Sequence, residues 1–196
     1  MAEIKSTMDL VMERAARMGK ASPEEMQQEE AGKQGMKLAA EFLDGSVDNL
    51  MISLTELPAE QQVAARRGMV EVLLRNIFLP RDDTARERTK KAAEGIVVLG
   101  GGAGDLSSIC AEMQHILGQY NQHRDQLKQQ VEEQIRMQYE QVMAQQDGGM
   151  QGDAMNLERS LQTKFQEEWV RMETELSNQY NQALEQHKSV LRERLG

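Results

Sequence analysis

After Pro80 the chain contains no proline, and this constrains its fold more than any other feature. Proline removes a backbone donor and clashes with the preceding turn, so helices rarely run through it. Between Asp105 and Asp147 only Gly118 weakens a helix. Leu106, Ile109, Cys110, Met113, Ile116, Leu117, Tyr120, Leu127, Val131, Ile135 and Val142 recur at spacings of three and four, which marks one apolar helical face. The stretch is about 40 residues, or roughly 60 Å of helix. Gly148-Gly149-Met150-Gln151-Gly152 breaks it. A second long helix is expected from near Asp153, with Leu157, Leu161, Phe165, Trp169, Met172, Leu176, Tyr180, Leu184, His187 and Leu191 along one stripe. Long amphipathic helices joined by a short loop favour antiparallel neighbours. The fold expected is therefore all-α: a small N-terminal helical bundle followed by a long antiparallel helical hairpin of coiled-coil-like character. Steps of four are frequent in the second stripe, so the repeat lies nearer a straight helix than a heptad. A loosely wound pair is expected, with one seam and little core.

The first hundred residues read as shorter helices. Ile4, Met8, Val11, Met12, Ala15 and Met18 give one face over about residues 3–18, closed by Gly19. Ser22-Pro23-Glu24-Glu25 is a start signal: a capping hydroxyl, a proline at the first position and acids at the positive end of the dipole. Gly32 and Gly35 follow. Each glycine costs about 1 kcal/mol in a helix interior, so a weak or broken helix is expected before Met36. Asp44-Gly45-Ser46 marks a turn, and Val47, Leu50, Met51 and Leu54 a short apolar face. Pro58 opens a helix expected to reach Phe78, burying Val63, Val70, Leu73, Leu74 and Ile77, before Pro80 stops it. Asp82-Asp83-Thr84 caps a helix to about Leu99. Its end, EGIVVL, has strand propensity, but Ala92, Ala93, Ile96 and Leu99 fit one helical face and no partner strand is visible. The domains are then 1–99, a Gly-rich hinge at 100–104, and the hairpin at 105–196, with Asp105 as its cap.

Charge removes some functions. The formal net charge is −9, and the first 99 residues carry 17 acids against 14 bases. Nucleic-acid binding lacks its electrostatic driving term, and anionic membrane surfaces are disfavoured likewise. No stretch approaches the roughly 18 apolar residues of a membrane span. The first residues carry Glu3, Asp9 and Glu13 and no continuous apolar run, unlike a signal or transit peptide. Cys110 is the sole cysteine, so an intrachain disulfide is impossible. A cytoplasmic location is expected.

No catalytic constellation stands out. VVLGGGAGD resembles a phosphate loop, but Asp105 stands where a dinucleotide fingerprint needs its third glycine, and no Walker lysine follows. A hinge is the simpler account. His115 and His187 fall at similar heights on the expected hairpin, near Glu112 and Glu185, yet no H-E-x-x-H or paired-cysteine motif accompanies them. Cys110 lies on the apolar stripe and reads as a buried structural thiol. Arg81, Arg86, Arg88, Lys90 and Lys91 alternate with acids, as on a solvated helical face. Glutamines from Gln129 to Gln146 cluster toward the hairpin tip, where burial is small.

The opening, AEIKSTMDLVMER, resembles the start of small all-helical bacterial proteins classed as domains of unknown function. The resemblance covers the first helix and implies no activity, cofactor or site residue. The function expected is therefore non-enzymatic: a helical scaffold or adaptor binding another protein, or itself, with neither cofactor, metal nor small-molecule substrate. Met8, Val11, Met12, Trp169 and Tyr180 are the candidate partner-binding residues. The second reading is a peripheral membrane protein anchored by the Met-rich first helix.

Overall fold

The computed structural model describes Met8, residues 22–145 and residues 151–196, with all of their side chains except those of 145 and 151–157. Among these residues the protein is all-helical, with no strand. Its helices are α1 (Pro23–Asp44), α2 (Leu50–Thr55), α3 (Ala59–Arg75), α4 (Asp83–Leu99), α5 (Gly104–Gln145) and α6 (Gln151–Leu195). Apart from Met8, the helix expected over residues 3–18 lies outside the described residues.

Two compact units divide the chain. Unit 1 comprises Met1–Asn76, Lys91–Gly102 and Arg192–Gly196; unit 2 comprises Ile77–Lys90 and Ala103–Leu191. Residues of α4 and of α6 are therefore shared out between the two.

Unit 1 begins with the predicted cap. The Ser22 hydroxyl accepts from the Glu25 amide at 3.1 Å, and the Glu25 carboxylate accepts from the Ser22 amide at 2.7 Å. This reciprocal box satisfies two amides that the first helical turn leaves open. The expected break at Gly32 and Gly35 does not occur: α1 runs unbroken to Asp44. The reason is packing against α3. A Cβ on Gly35 would lie 1.9 Å from the Ala65 carbonyl oxygen, and one on Gly68 would lie 2.1 Å from that of Gly32. The glycines let two backbones touch, and this close contact offsets their poor propensity. Gly45, at φ 85°, ends α1 in the left-handed region.

Asn49 caps α2, its side-chain oxygen accepting from the Met51 amide at 2.9 Å. Helix α3 ends at Arg75, short of the expected Phe78. The Asn76 side chain bonds back to the Val72 carbonyl at 2.8 Å, and the approach to Pro80 disfavours helical backbone. Val70, Leu73, Leu74 and Ile77 are buried as expected, but Val63 is 60% exposed. Val63 shares a face with Val70 and Leu74, two and three turns earlier. At that end of α3 the contact with α1 is made by the Ala65–Gly68 edge instead.

The EGIVVL segment is helical, and Ala92, Ala93, Ile96 and Leu99 are all buried. A Cβ on Gly95 would stand 2.9 Å from Leu73 and 3.0 Å from Phe42, so α4 also approaches its neighbours closely. The Lys91 ammonium lies 5.4 Å from the centre of the Phe42 ring. Arg192 closes the unit on Glu71 at 2.7 Å, and Arg67 bonds the Gly196 carbonyl.

In unit 2 the Asp82 side chain caps α4, accepting from the Ala85 amide at 2.7 Å. Helix α5 starts at Gly104, so Asp105 sits in its first turn and is not its cap. Leu106, Cys110, Met113, Leu117, Tyr120 and Val131 of α5 are buried, as are Leu161, Leu184 and Leu191 of α6. Contacts between the two helices run in reverse order along the chain: Glu112 meets His187, Tyr120 meets Ser177, and Arg124 meets Glu173.

Candidate functional site

The inward residues of α5 step by three and four from Cys110 through Met113, Leu117, Tyr120, Arg124 and Leu127 to Val131. One member of this series is a cation. Arg124 occupies the position between Tyr120 and Leu127, where the apolar pattern has a gap. On α6, Trp169, Glu173 and Ser177 stand one turn apart. The Arg124 Nε donates to Glu173 Oε1 at 2.7 Å, and both side chains are largely shielded, at 27% and 19% exposure. The guanidinium carbon also lies 5.6 Å from the Trp169 ring centre, within reach of a cation–π attraction. The Glu173 hydrogen bond raises the pKa of Arg124 above its ordinary value, against the opposing effect of burial.

Aromatic and hydroxyl groups continue this polar layer. The hydroxyls of Tyr120 and Ser177 are 3.1 Å apart. The Tyr180 hydroxyl lies 2.5 Å from His123 Nδ1. The Tyr180 ring meets Tyr120 edge-on, with centroids 5.5 Å apart. Burial pushes the Tyr180 phenol up, holding it neutral. The layer thus brings together the Arg124 guanidinium, the Glu173 carboxylate and two phenols. Each of these three hydrogen bonds joins α5 to α6, which suits fixing the register of two helices: a slip of either would strand a shielded charge.

Two of the candidate residues, Trp169 and Tyr180, belong to this layer and are half-buried in it. Met8 is 69% exposed, and Val11 and Met12 lie outside the described residues. Sequence reasoning passed over Arg124 and Glu173. The signal available was the seven-residue gap from Tyr120 to Leu127, filled at seam spacing by a charge.

The structure also places the other motifs singled out in the sequence. In the glycine run the amides of Gly100, Gly101 and Gly102 bond the carbonyls of Ile96, Val98 and Val97 at 3.0–3.1 Å, and Gly101 and Gly102 have φ of 65° and 72°. These amides are used to close α4. His187 Nδ1 lies 3.6 Å from Glu112, while His115 is exposed. Among the described residues no group of three metal-ligating side chains gathers. Cys110 is buried, and desolvation pushes its thiol up to about 11. Among the described residues no helix is long and apolar enough to cross a membrane.

Residues 51–193 match the model of a family of unknown function, DUF6657. The chain belongs to that family. The matched region takes in the polar layer, all of α5 and α6 to within two residues of its end, and it starts beyond the opening segment that carries the sequence resemblance. The expectation of an uncharacterised helical family therefore holds, with its shared part lying further along the chain. No curated protein and no solved structure gives a significant match.

Proposed function

We propose that the protein is a non-enzymatic cytoplasmic scaffold or adaptor that works through protein–protein contact or self-association. Its architecture, on this reading, is a small N-terminal helical bundle and a long antiparallel helical hairpin. The observation that carries the proposal is the Arg124–Glu173 layer and the reverse-ordered contacts around it. A charged pair inside a narrow seam contributes little net stability and much specificity of register. Such a device suits a long helical pair that must hold a fixed geometry for something to bind along it. Because Trp169 and Tyr180 are engaged within the layer, partner contact falls to apolar positions left open, such as Met137 at 51% and Val170 at 58% exposure. Light scattering over a wide concentration range, combined with crosslinking and affinity capture, tests this. Discrete association with itself or with one partner is expected. A strictly monomeric chain that captures nothing contradicts it.

A further inference from the structure

Near positions 114–121, a third segment lies beside α5: Pro80, Thr89 and Lys90 line a small cleft with Leu117 and Gly118. Further along, past Val131, the lining changes. There α5 and α6 alone frame a groove of about 600 Å³ over Ile135, Tyr139, Leu161 and Phe165. Ile135, Tyr139 and Phe165 are only half-buried, and Met143, one turn beyond Tyr139, is 39% exposed. Two helices give one seam, and large side chains along its open side keep apolar surface in water.

We infer that this groove is the contact surface of a homodimer, into which a second copy of the chain lays the same part of its own α5–α6 pair. The inference rests on the self-association branch of the function proposed above and names its surface. Charge argues for a second copy. A two-fold interface meets itself, so its rim must carry both signs in positions that pair after rotation. This rim carries both: Arg136 and Glu132 project from α5 and Glu158 from α6, all lining the groove. In a two-fold arrangement Arg136 of each copy faces Glu158 of the other, giving the same pair twice. The present intrahelical partners of Arg136 are loose and exposed, with Glu133 at 3.6 Å and Glu140 at 3.9 Å. They can be exchanged at little cost.

The available area sets the class of interface. Residues 132–144 of α5 span roughly 20 Å, and two adjacent helices present a face roughly 20 Å wide. That gives about 400 Å² per copy, the size of a weak, transient contact. The dimer is therefore a weak one that forms at high protein concentration.

Sedimentation velocity of the full-length protein, with helicity measured alongside, tests this through a charge exchange. Arg136→Glu and Glu158→Arg should each weaken the homodimer at least about tenfold. An equimolar mixture of the two variants should restore association, because every rim pair is again of opposite sign. A general loss of structure cannot produce that recovery. Phe165→Glu should weaken the dimer with no rescue by either charge variant. A wild-type chain that is monomeric at every concentration overturns the inference, and leaves the scaffold reading to a different protein as partner. A wild-type dimer untouched by these substitutions, or a mixture that fails to reassociate, also overturns it and places self-association elsewhere on the molecule.

Discussion

Gly35→Ala sets two opposed effects against each other. Alanine is the better helix former, worth about 1 kcal/mol in a helix interior. On propensity alone the substitution stabilises α1. The structure reverses the sign. The new Cβ would lie 1.9 Å from the Ala65 carbonyl oxygen, 2.6 Å from its carbonyl carbon and 2.7 Å from its Cα. All three are backbone atoms, so no rotamer change relieves the clash. Helices α1 and α3 must move apart by roughly 1–1.5 Å to restore ordinary contact, and a gap of that size forfeits much of the dispersion energy across it. Overpacking of this kind costs typically 1–3 kcal/mol, more where backbone must shift. The net expectation is a loss of about 2–4 kcal/mol, or roughly 5–15 °C in Tm for a chain of this length. Urea and thermal unfolding followed by helical ellipticity measure it. Gly118→Ala is the matched control: nothing lies within 4 Å of its Cβ position, so it should stabilise by about 1 kcal/mol. If Gly35→Ala stabilises as much as Gly118→Ala, the close contact of α1 and α3 is wrong.

The remaining expectations concern the caps, the polar layer and the thiol. Ser22→Ala removes one half of the capping box and should cost about 1 kcal/mol by denaturant titration. Glu173→Ala strands the shielded Arg124 charge and should destabilise by about 1–3 kcal/mol. The double change Arg124→Met with Glu173→Leu should be neutral or stabilising yet broaden the register, read by crosslinking of cysteines introduced along both long helices. The buried Cys110 thiol ionises near 11, against 9.0 for a free one. Its proton is therefore held more tightly in the folded state, and the stability it contributes is intact below pH 9 and lost as pH rises toward 11. Wild type should lose stability across that window relative to Cys110→Ala, and Cys110 should alkylate slowly in the native protein at neutral pH.

Periodicity made most of the helices legible, because burial of one face follows directly from spacing at Ala92, Ala93, Ile96 and Leu99. Local chemistry announced the Ser22 and Asp82 caps just as directly. What stayed hidden depended on partners distant in sequence. Gly32 and Gly35 look like helix breakers until Gly68 and Ala65 stand opposite them. Val63 has the right spacing for burial, but spacing does not say where along α3 the neighbouring helix lies. The polar layer was hidden for the same reason: Arg124 and Glu173 are 49 residues apart and unremarkable until paired.

On the function proposed here, the long helices run in opposite directions with their register held at the polar layer. Spin labels on the exposed Gln122 and Gln179, diluted with unlabelled chain, measure this by dipolar distance, with Gln122 and Thr163 as the second pair. The account predicts one narrow, short distance for the first pair, and a longer one for the second, because Thr163 lies about 24 Å further along α6. A second distance shorter than the first, or a broad spread for both, would contradict it.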